Sequence, residues 1–243
     1  MVLEFDAKAL EVERFAEEGK NTYLLIRMEK PEGFEFKAGQ FMLLGHKKLK
    51  NTESPGEPLY RAYSIASAPH MPFLEFVIAI APKGGLSQFL SEHLAPGDSL
   101  HLKGPFGEFM HRSQKEKIVF IVTGAGVAPA MSMVRDLMFK GSKKVIQFFY
   151  GFHSCDMFLF KEELQKYTKE RDNFFLFPTA FKDGPCCWNG TCGYVQPLVE
   201  EAGYHDENTH FYVCGSPGSM KASFEVLTKM KVPMQKIFTE VQA

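Results

Sequence analysis

The sequence predicts two folding units: an antiparallel β-sandwich or barrel, then a doubly wound α/β unit built on a parallel sheet. Three observations carry that expectation. Before residue 110 the apolar runs are short and divided by Gly/Pro/Asn/Asp clusters. After residue 117 strand-like and helix-like segments alternate. The stretch between, His111-Arg112-Ser113-Gln114-Lys115-Glu116-Lys117, is polar. The boundary is set there, giving domains of residues 1–112 and 113–243.

Composition excludes several classes. Of 243 residues, 45% are hydrophobic and 23% charged, which excludes disorder and is enough for a core without disulfide staples. Twenty-eight Lys+Arg against twenty-nine Asp+Glu leave a formal charge of −1, without the basic footprint of a nucleic-acid binder. Twenty-four Phe against one Trp suit strand-rich cores. Five Cys at irregular spacing, with Glu4 and Asp6 where a signal peptide would be basic, point to a reducing, cytoplasmic setting. Ile118–Val134 is uncharged and reaches the short limit of a membrane span. Gly124, Gly126 and Pro129 break it, so a strand, a glycine turn and a helix start explain it better, and no membrane insertion is expected.

In the first unit the expected strands are Tyr23–Met28, Gln40–Leu44, Tyr60–Ile65, Leu74–Ile80 and Ser99–Leu102. Turns such as Lys30-Pro31-Glu32-Gly33 and Ala95-Pro96-Gly97-Asp98 separate them. One helix, around Ser87–Leu94, follows the turn Lys83-Gly84-Gly85-Leu86. In the second unit the strands are Ile118–Thr123, Val145–Tyr150, Phe174–Phe177, His210–Cys214 and Lys236–Glu240. The helices between are Ala130–Phe139, Met157–Lys169, Val195–Glu201 and Met220–Met230. Such alternation implies a parallel sheet.

Two segments carry chemistry. Ile118-Val-Phe-Ile-Val-Thr-Gly124-Ala-Gly126-Val-Ala-Pro129 is a strand, two glycines one apart, and a proline expected at the first helical position. It reads either as a pyrophosphate cradle at a helix start or as a tight β–α turn. The acidic residue of a simple Rossmann site is missing, because the next strand ends Phe149-Tyr150-Gly151. In Arg61-Ala62-Tyr63-Ser64, alternation puts Arg61 and Tyr63 on one face and Ala62 and Ser64 on the other. A cation, a ring and a hydroxyl so close suit a phosphate-bearing ring system, or simply a strand with a surface Arg and Tyr.

Arg61-x-Tyr63-Ser64, Gly84-x-x-Ser87, Gly124-x-Gly126-x-x-Pro129 and Cys214-Gly215 ahead of Pro217-Gly218-Ser219-Met220 follow one another across both units. In that order the chain resembles the ferredoxin–NADP reductase superfamily over nearly its whole length. Gly39-Gln40-Phe41, Gly97-Asp98 and Gly104-Pro105-Phe106-Gly107 fit as well. The resemblance implies an antiparallel β-barrel FAD-binding domain followed by an α/β parallel-sheet NAD(P)-binding domain. It implies that Arg61 holds the FAD pyrophosphate, with Ala62 beside it. Tyr63 would stack on the isoalloxazine, and Ser64 would hydrogen-bond near flavin N5. Gly84, Gly85, Leu86 and Ser87 would open the helix onto the same pyrophosphate. Thr123, Gly124, Gly126, Val127 and Pro129 would cradle the phosphates of NADH or NADPH. Cys214 would lie beside the nicotinamide, with Gly215 and Met220 in the same set, and Glu240 would serve a proton path. Ser64, Cys214 and Glu240 form the implied catalytic group.

The family usually has Pro directly after Cys-Gly, where this chain has Ser216 and then Pro217. Many relatives end in an aromatic residue, whereas the last aromatic here is Phe238. The implied activity is an FAD-dependent reductase that takes hydride from NAD(P)H and passes electrons singly to a ferredoxin, a flavodoxin or an oxygenase component. A flavin or quinone reductase and a non-catalytic FAD-binding electron-transfer component of a larger complex are the alternatives, and the chain is expected to be a monomer. Cys186-Cys187-x4-Cys192 lacks the four-thiolate spacing of a cluster, so no metal is expected. His46-Lys47-Lys48-x-Lys50 reads as a solvated face or a dock for an acidic electron-transfer protein. The segments Gly151-Phe152-His153-Ser154-Cys155-Asp156 and Pro178-Thr179-Ala180-Phe181-Lys182-Asp183 offer one Lys beside an Asp, which favours NADH.

Overall fold

Leu3–Glu17 forms one long strand, β1, which the apolar runs above do not include. Its inward positions up to the bulge are Leu3, Phe5, Ala7 and Ala9, and two are only methyl groups among Glu, Lys and Asp. Alternation is therefore the one signal it carries, and propensity speaks against it. A register shift between Ala9 and Glu11 lets the first half pair with one neighbour and the second half with another. The structure, a computed structural model, describes residues 2–17, 20–49, 59–81, 85–112, 114–181, 190–203 and 207–241.

The other strands of the first sheet are β2 (Lys20–Glu29), β3 (Phe41–Gly45), β4 (Arg61–Ser64), β5 (Phe73–Ala79) and β6 (Ser99–Phe106). Their order is β4-β3-β6-β1-β2-β5, and every pairing is antiparallel. The two edges meet where Ile65 bridges Phe76 and the Ala66 N–H donates to the Glu75 carbonyl at 2.7 Å, so the sheet is a nearly closed barrel. Period-two patterning fills it: Leu24, Ile26, Met28, Leu74, Phe76, Ile78, Leu100 and Leu102 are all fully buried. Each contributes about 1.5–3 kcal/mol by leaving water. Helix α1 (Leu86–His93) adds Leu86 and Leu90 to the same core.

The second sheet is parallel, as expected. It comprises β7 (Lys117–Thr123), β8 (Val145–Phe152), β9 (Phe174–Ala180), β10 (Thr191–Cys192), β11 (Thr209–Gly215) and β12 (Ile237–Val241). The helices are α2 (Val127–Phe139), α3 (Lys161–Glu170), α4 (Val195–Ala202) and α5 (Pro217–Lys229). On one sheet face Val119, Ile121, Phe149, Phe211 and Val213 pack with Val195, Val199 and Leu227 from α4 and α5. On the other, one ring per strand runs in a row: Phe174, Phe148, Phe120, Tyr212, Phe238, with neighbouring centroids 4.9–6.1 Å apart. Four of the twenty-four phenylalanines stand in that row.

The uncharged Ile118–Val134 stretch is a strand, a 3-10 turn (Gly124–Gly126) and the start of α2. Among the described residues no helix is long and apolar enough to cross a membrane. Several boundaries shift. Helix α2 begins at Val127, so Pro129 is its third residue and not its first; the missing N–H still falls in the first turn, where it has no partner to lose. The helix expected from Met157 starts at Lys161, because Cys155–Met157 is a 3-10 turn and Phe160 adopts a left-handed φ of 57°. Strands β8 and β9 run on to Phe152 and Ala180.

Compactness divides the chain into Met1–His111 with Met131–Phe139, and Arg112–Ala130 with Lys140–Ala243. In the first unit Glu75, fully buried, accepts from Arg27 Nε at 2.9 Å and from Arg135 Nη1 at 2.5 Å. Arg27 also meets Glu11 at 2.6 Å.

On the barrel's outer face His101 bridges two carboxylates, Nε2 to Glu4 at 2.9 Å and Nδ1 to Asp6 at 2.8 Å. Partial burial works against the charged ring, but the bonds to Glu4 and Asp6 outweigh it and hold His101 above its ordinary 6.5. The same bond, with Lys103, lowers Glu4, and Lys47 with His101 lowers Asp6. A raised histidine stabilises fully below 6.5 and loses that contribution as pH climbs through its folded value; the lowered carboxylates act above 4.5 and 3.8. His101→Gln should therefore lose more stability relative to the parent near about pH 5.5 than near about pH 8.5. Urea unfolding of both chains at the two pH values checks this; an equal difference at both would refute it.

Candidate functional site

Strand β4 is an edge of the barrel, held by β3 in the register Leu44↔Arg61, Leu43↔Ala62, Met42↔Tyr63 and Phe41↔Ser64. Arg61 and Ala62 are exposed, Tyr63 is half-buried against the core and Ser64 is buried. The Arg61 guanidinium is tied back to the Tyr60 carbonyl, at 2.8 Å. Burial pushes the Tyr63 phenol up to about 12, with the Arg61 cation pulling the other way, so it stays a neutral donor at ordinary pH.

Helix α1 lies at the Arg61 end of that hairpin: its Phe89 ring sits 4.6 Å from His46, two residues beyond Leu44. Gly85 precedes the helix at φ 94°, and no side chain caps the first turn or places a carboxylate there. Ser87, buried, accepts from the Ala81 N–H at 3.0 Å and pins the preceding chain. An uncapped helix start is a fitting seat for a pyrophosphate, and the exposed Arg61 adds a cation to the same barrel. The Cβ that Gly85 lacks would meet nothing within 4 Å, which leaves that approach open. Gly84 lies outside the described residues.

In the second unit the parallel strands run β10-β9-β8-β7-β11-β12, so chain order reverses between β7 and β11. The carboxyl ends of strands at such a point open a crevice. Its walls here are backbone brought into contact. A Cβ on Gly126 would stand 2.5 Å from the Cys214 carbonyl oxygen, and one on Gly215 would stand 2.1 Å from Thr123 Oγ1. A Cβ on Gly151, near the end of β8, would meet Thr123 Cγ2 at 3.1 Å. Gly124 takes φ 53°. Thr123, Gly124, Gly126, Cys214 and Gly215 are thereby collected at one place. Val127, Pro129 and Met220 are buried around them. Glu240, half-buried, is the register partner of Cys214 on the neighbouring strand.

Ser216 and Pro217 depart from the family pattern for a local reason. Ser216 caps α5, its Oγ accepting from the Ser219 N–H at 3.4 Å, and Pro217 takes the first helical position. Phe238 is stacked on Tyr212 at 4.9 Å within the aromatic row. Gly151 and the Ser216 cap escape a reading of the sequence alone, although a glycine closing an apolar strand and a Ser-Pro pair before a helix are signals for both. Lys47 is paired with Asp6 at 2.7 Å, so the basic patch is partly neutralised. Cys186, Cys187, Lys50, Lys182 and Asp183 lie outside the described residues.

Comparisons with known proteins cover both units. The oxidoreductase FAD-binding domain matches residues 12–111 and the oxidoreductase NAD-binding domain matches residues 120–225. The chain belongs to the oxidoreductases that join an FAD-binding domain to an NAD-binding domain, and its fold is that of the ferredoxin–NADP reductases. Phenol hydroxylase P5 protein of Acinetobacter pittii is 27% identical over 99% of this chain and 66% of its own length. One component of the Na(+)-translocating NADH-quinone reductase of Marinomonas is 30% identical over 76% of this chain and 49% of its own length. The chain thus spans about half to two thirds of those relatives. A ferredoxin NADP+ reductase from Neisseria gonorrhoeae, solved with FAD and NADP, superposes with a TM-score of 0.82 at 21% identity, covering 98% of each chain.

Gly126→Ala should push the β7 turn away from the end of β11. NADH affinity is then expected to fall roughly tenfold or more, about 1.4 kcal/mol, with FAD content unchanged. Titration of the oxidised protein with NADH, beside its flavin absorbance, measures both; parent-like affinity would show that the crevice is not the nucleotide site.

Proposed function

We propose that the chain takes hydride from NADH and delivers electrons one at a time to a protein acceptor: a small iron–sulfur protein, a flavodoxin or an oxygenase component. The observation that carries this is the pairing of an arginine-bearing barrel edge and uncapped helix with a glycine-walled crevice in a parallel sheet. When bound, FAD accepts a hydride at N5 and releases single electrons.

The residues divide the labour. Arg61 and the N–H groups from Gly85 to Ser87 hold the pyrophosphate, with Gly84 and Ala62 in the same set. Tyr63 covers the ring system as a neutral phenol. Ser64 offers its hydroxyl to N5. Thr123, Gly124, Gly126, Val127 and Pro129 approach the phosphates of the nicotinamide cofactor, while Cys214, Gly215 and Met220 flank its reactive ring. Glu240 holds a proton beside Cys214. These roles follow the family's pattern residue by residue, and the burial and contacts above support them. The phenol hydroxylase relative favours an oxygenase partner. The quinone-reductase relative, of whose length this chain covers 49%, favours a second reading in which the chain serves as an electron-transfer part of a larger complex. We read the setting as cytoplasmic and the chain as a monomer.

Purified chain should be yellow and bleach with NADH in the absence of oxygen. Bleaching only when a partner is added would favour the larger-complex reading, and colourless chain that cannot take up FAD would refute both. Arg61→Ala should strip flavin during gel filtration, since a charge-assisted contact is worth about 1.5–3 kcal/mol; flavin content equal to the parent would refute that role.

The preference for NADH rests on the adenosine end. After β8 come His153, Ser154 and Asp156, with no Lys or Arg before Lys161. The exposed Phe181 and Tyr194 rings, 4.8 Å apart and tilted by 40°, offer an uncharged aromatic surface, and Phe181 directly follows β9. A 2′-phosphate, carrying nearly two charges, wants an Arg or Lys cluster. Steady-state kcat/KM with ferricyanide should favour NADH. A preference for NADPH of about tenfold, abolished by Lys182→Ala, would reverse the assignment.

A further inference from the structure

Helix α2 carries two buried polar side chains that the cofactor reading does not use, Ser132 at 0% and Arg135 at 6% exposure. Both belong to the first compact unit, and both reach the chain just past β4. Ser132 Oγ donates to the Ser67 carbonyl at 2.7 Å. Arg135 Nη1 donates to the Ala66 carbonyl at 2.9 Å and to Glu75 at 2.5 Å. The same segment is tied from other sides. The Ile65 N–H reaches the Gln40 carbonyl at 2.9 Å, the Ala66 N–H reaches the Glu75 carbonyl at 2.7 Å, and Ser67 Oγ accepts from the Glu75 N–H at 3.0 Å.

Packing alone does not require this arrangement. Ala130, Met131, Met133 and Val134 already make the helix apolar, and a buried ion pair is seldom better for stability than apolar side chains of similar volume. What the polar set adds is direction. Carbonyls of two consecutive residues, Ala66 and Ser67, are each aimed at one fixed donor, and Ser64 lies two residues upstream of the first. We propose that Ser132 and Arg135 are positioning residues for β4, fixing the chain beyond Ser64 and thereby the hydroxyl that faces flavin N5. This rests on the reading of Ser64 given above. A misplacement of about 1 Å at a reacting group costs up to 10²-fold, so even partial slack should register.

The test is a cycle on the full FAD-loaded chain: Ser132→Ala, Ser64→Ala, and both together. Ser132→Ala should speed amide hydrogen exchange at Ile65 and Ala66 and slow flavin reduction by NADH, each roughly tenfold, with flavin content and Tm near the parent. In the Ser64→Ala background the same change should cost less than about twofold, because the hydroxyl it positions is gone. A slow Ser64→Ala beside a parent-like Ser132→Ala, or losses that multiply in the double variant, would overturn the positioning role. A parent-like Ser64→Ala would instead refute the reading of Ser64. Arg135→Met should slow reduction further, and Arg135→Lys, which keeps a cation and several N–H donors on one nitrogen, should recover most of the loss. If Arg135→Met does not fold, the serine cycle decides alone.

Discussion

Glu75 has no surface left for water, so its charge is viable in the barrel wall only because Arg27 and Arg135 both donate to it. That constraint reaches outward in three directions. Through its backbone Glu75 closes the barrel against Ala66. Through Arg27 it draws in Glu11 and β1. Through Arg135 it fixes part of α2 against the loop after β4. The strand bearing Arg61 and Ser64 therefore ends in a segment with little freedom.

Glycine has the corresponding role in the parallel sheet. No residue with a Cβ could stand at 126 or 215 without pushing β7 and β11 apart, because the space is already filled by a backbone carbonyl and a threonine hydroxyl. The turn after β7 and the end of β11 therefore approach closely there. Glycines at 126 and 215 leave the Cys214 carbonyl and the Thr123 hydroxyl at the crevice wall, with no side chain of their own in between.

Much of this was legible in the sequence, for identifiable reasons. The β7 turn announces itself because a strand of β-branched residues, two glycines and a proline have few other uses. The interior strands of the barrel announce themselves by alternation. What stayed hidden depends on partners distant in sequence. Glu and Ala make seven of the fifteen residues of β1, and their meaning is fixed by β6 and β2 rather than by local preference. Arg135 looks like an ordinary cation on a helix until Glu75, sixty residues earlier, is placed beside it. The early start of α2 and the late start of α3 turn on single 3-10 turns, which composition hardly marks.

The divided pairing of β1 also bears on how the barrel is made. Its second half folds back on β2 as a hairpin, with Glu17 facing Lys20, and needs only local chain. Its first half pairs Leu3 with Gly104, roughly a hundred residues away. During synthesis the hairpin can therefore form early, while Leu3 to Lys8 must wait, unpaired, until β6 has left the ribosome. The charged residues that alternate along that waiting edge, Glu4, Asp6 and Lys8, discourage it from pairing with a neighbouring chain in the interval.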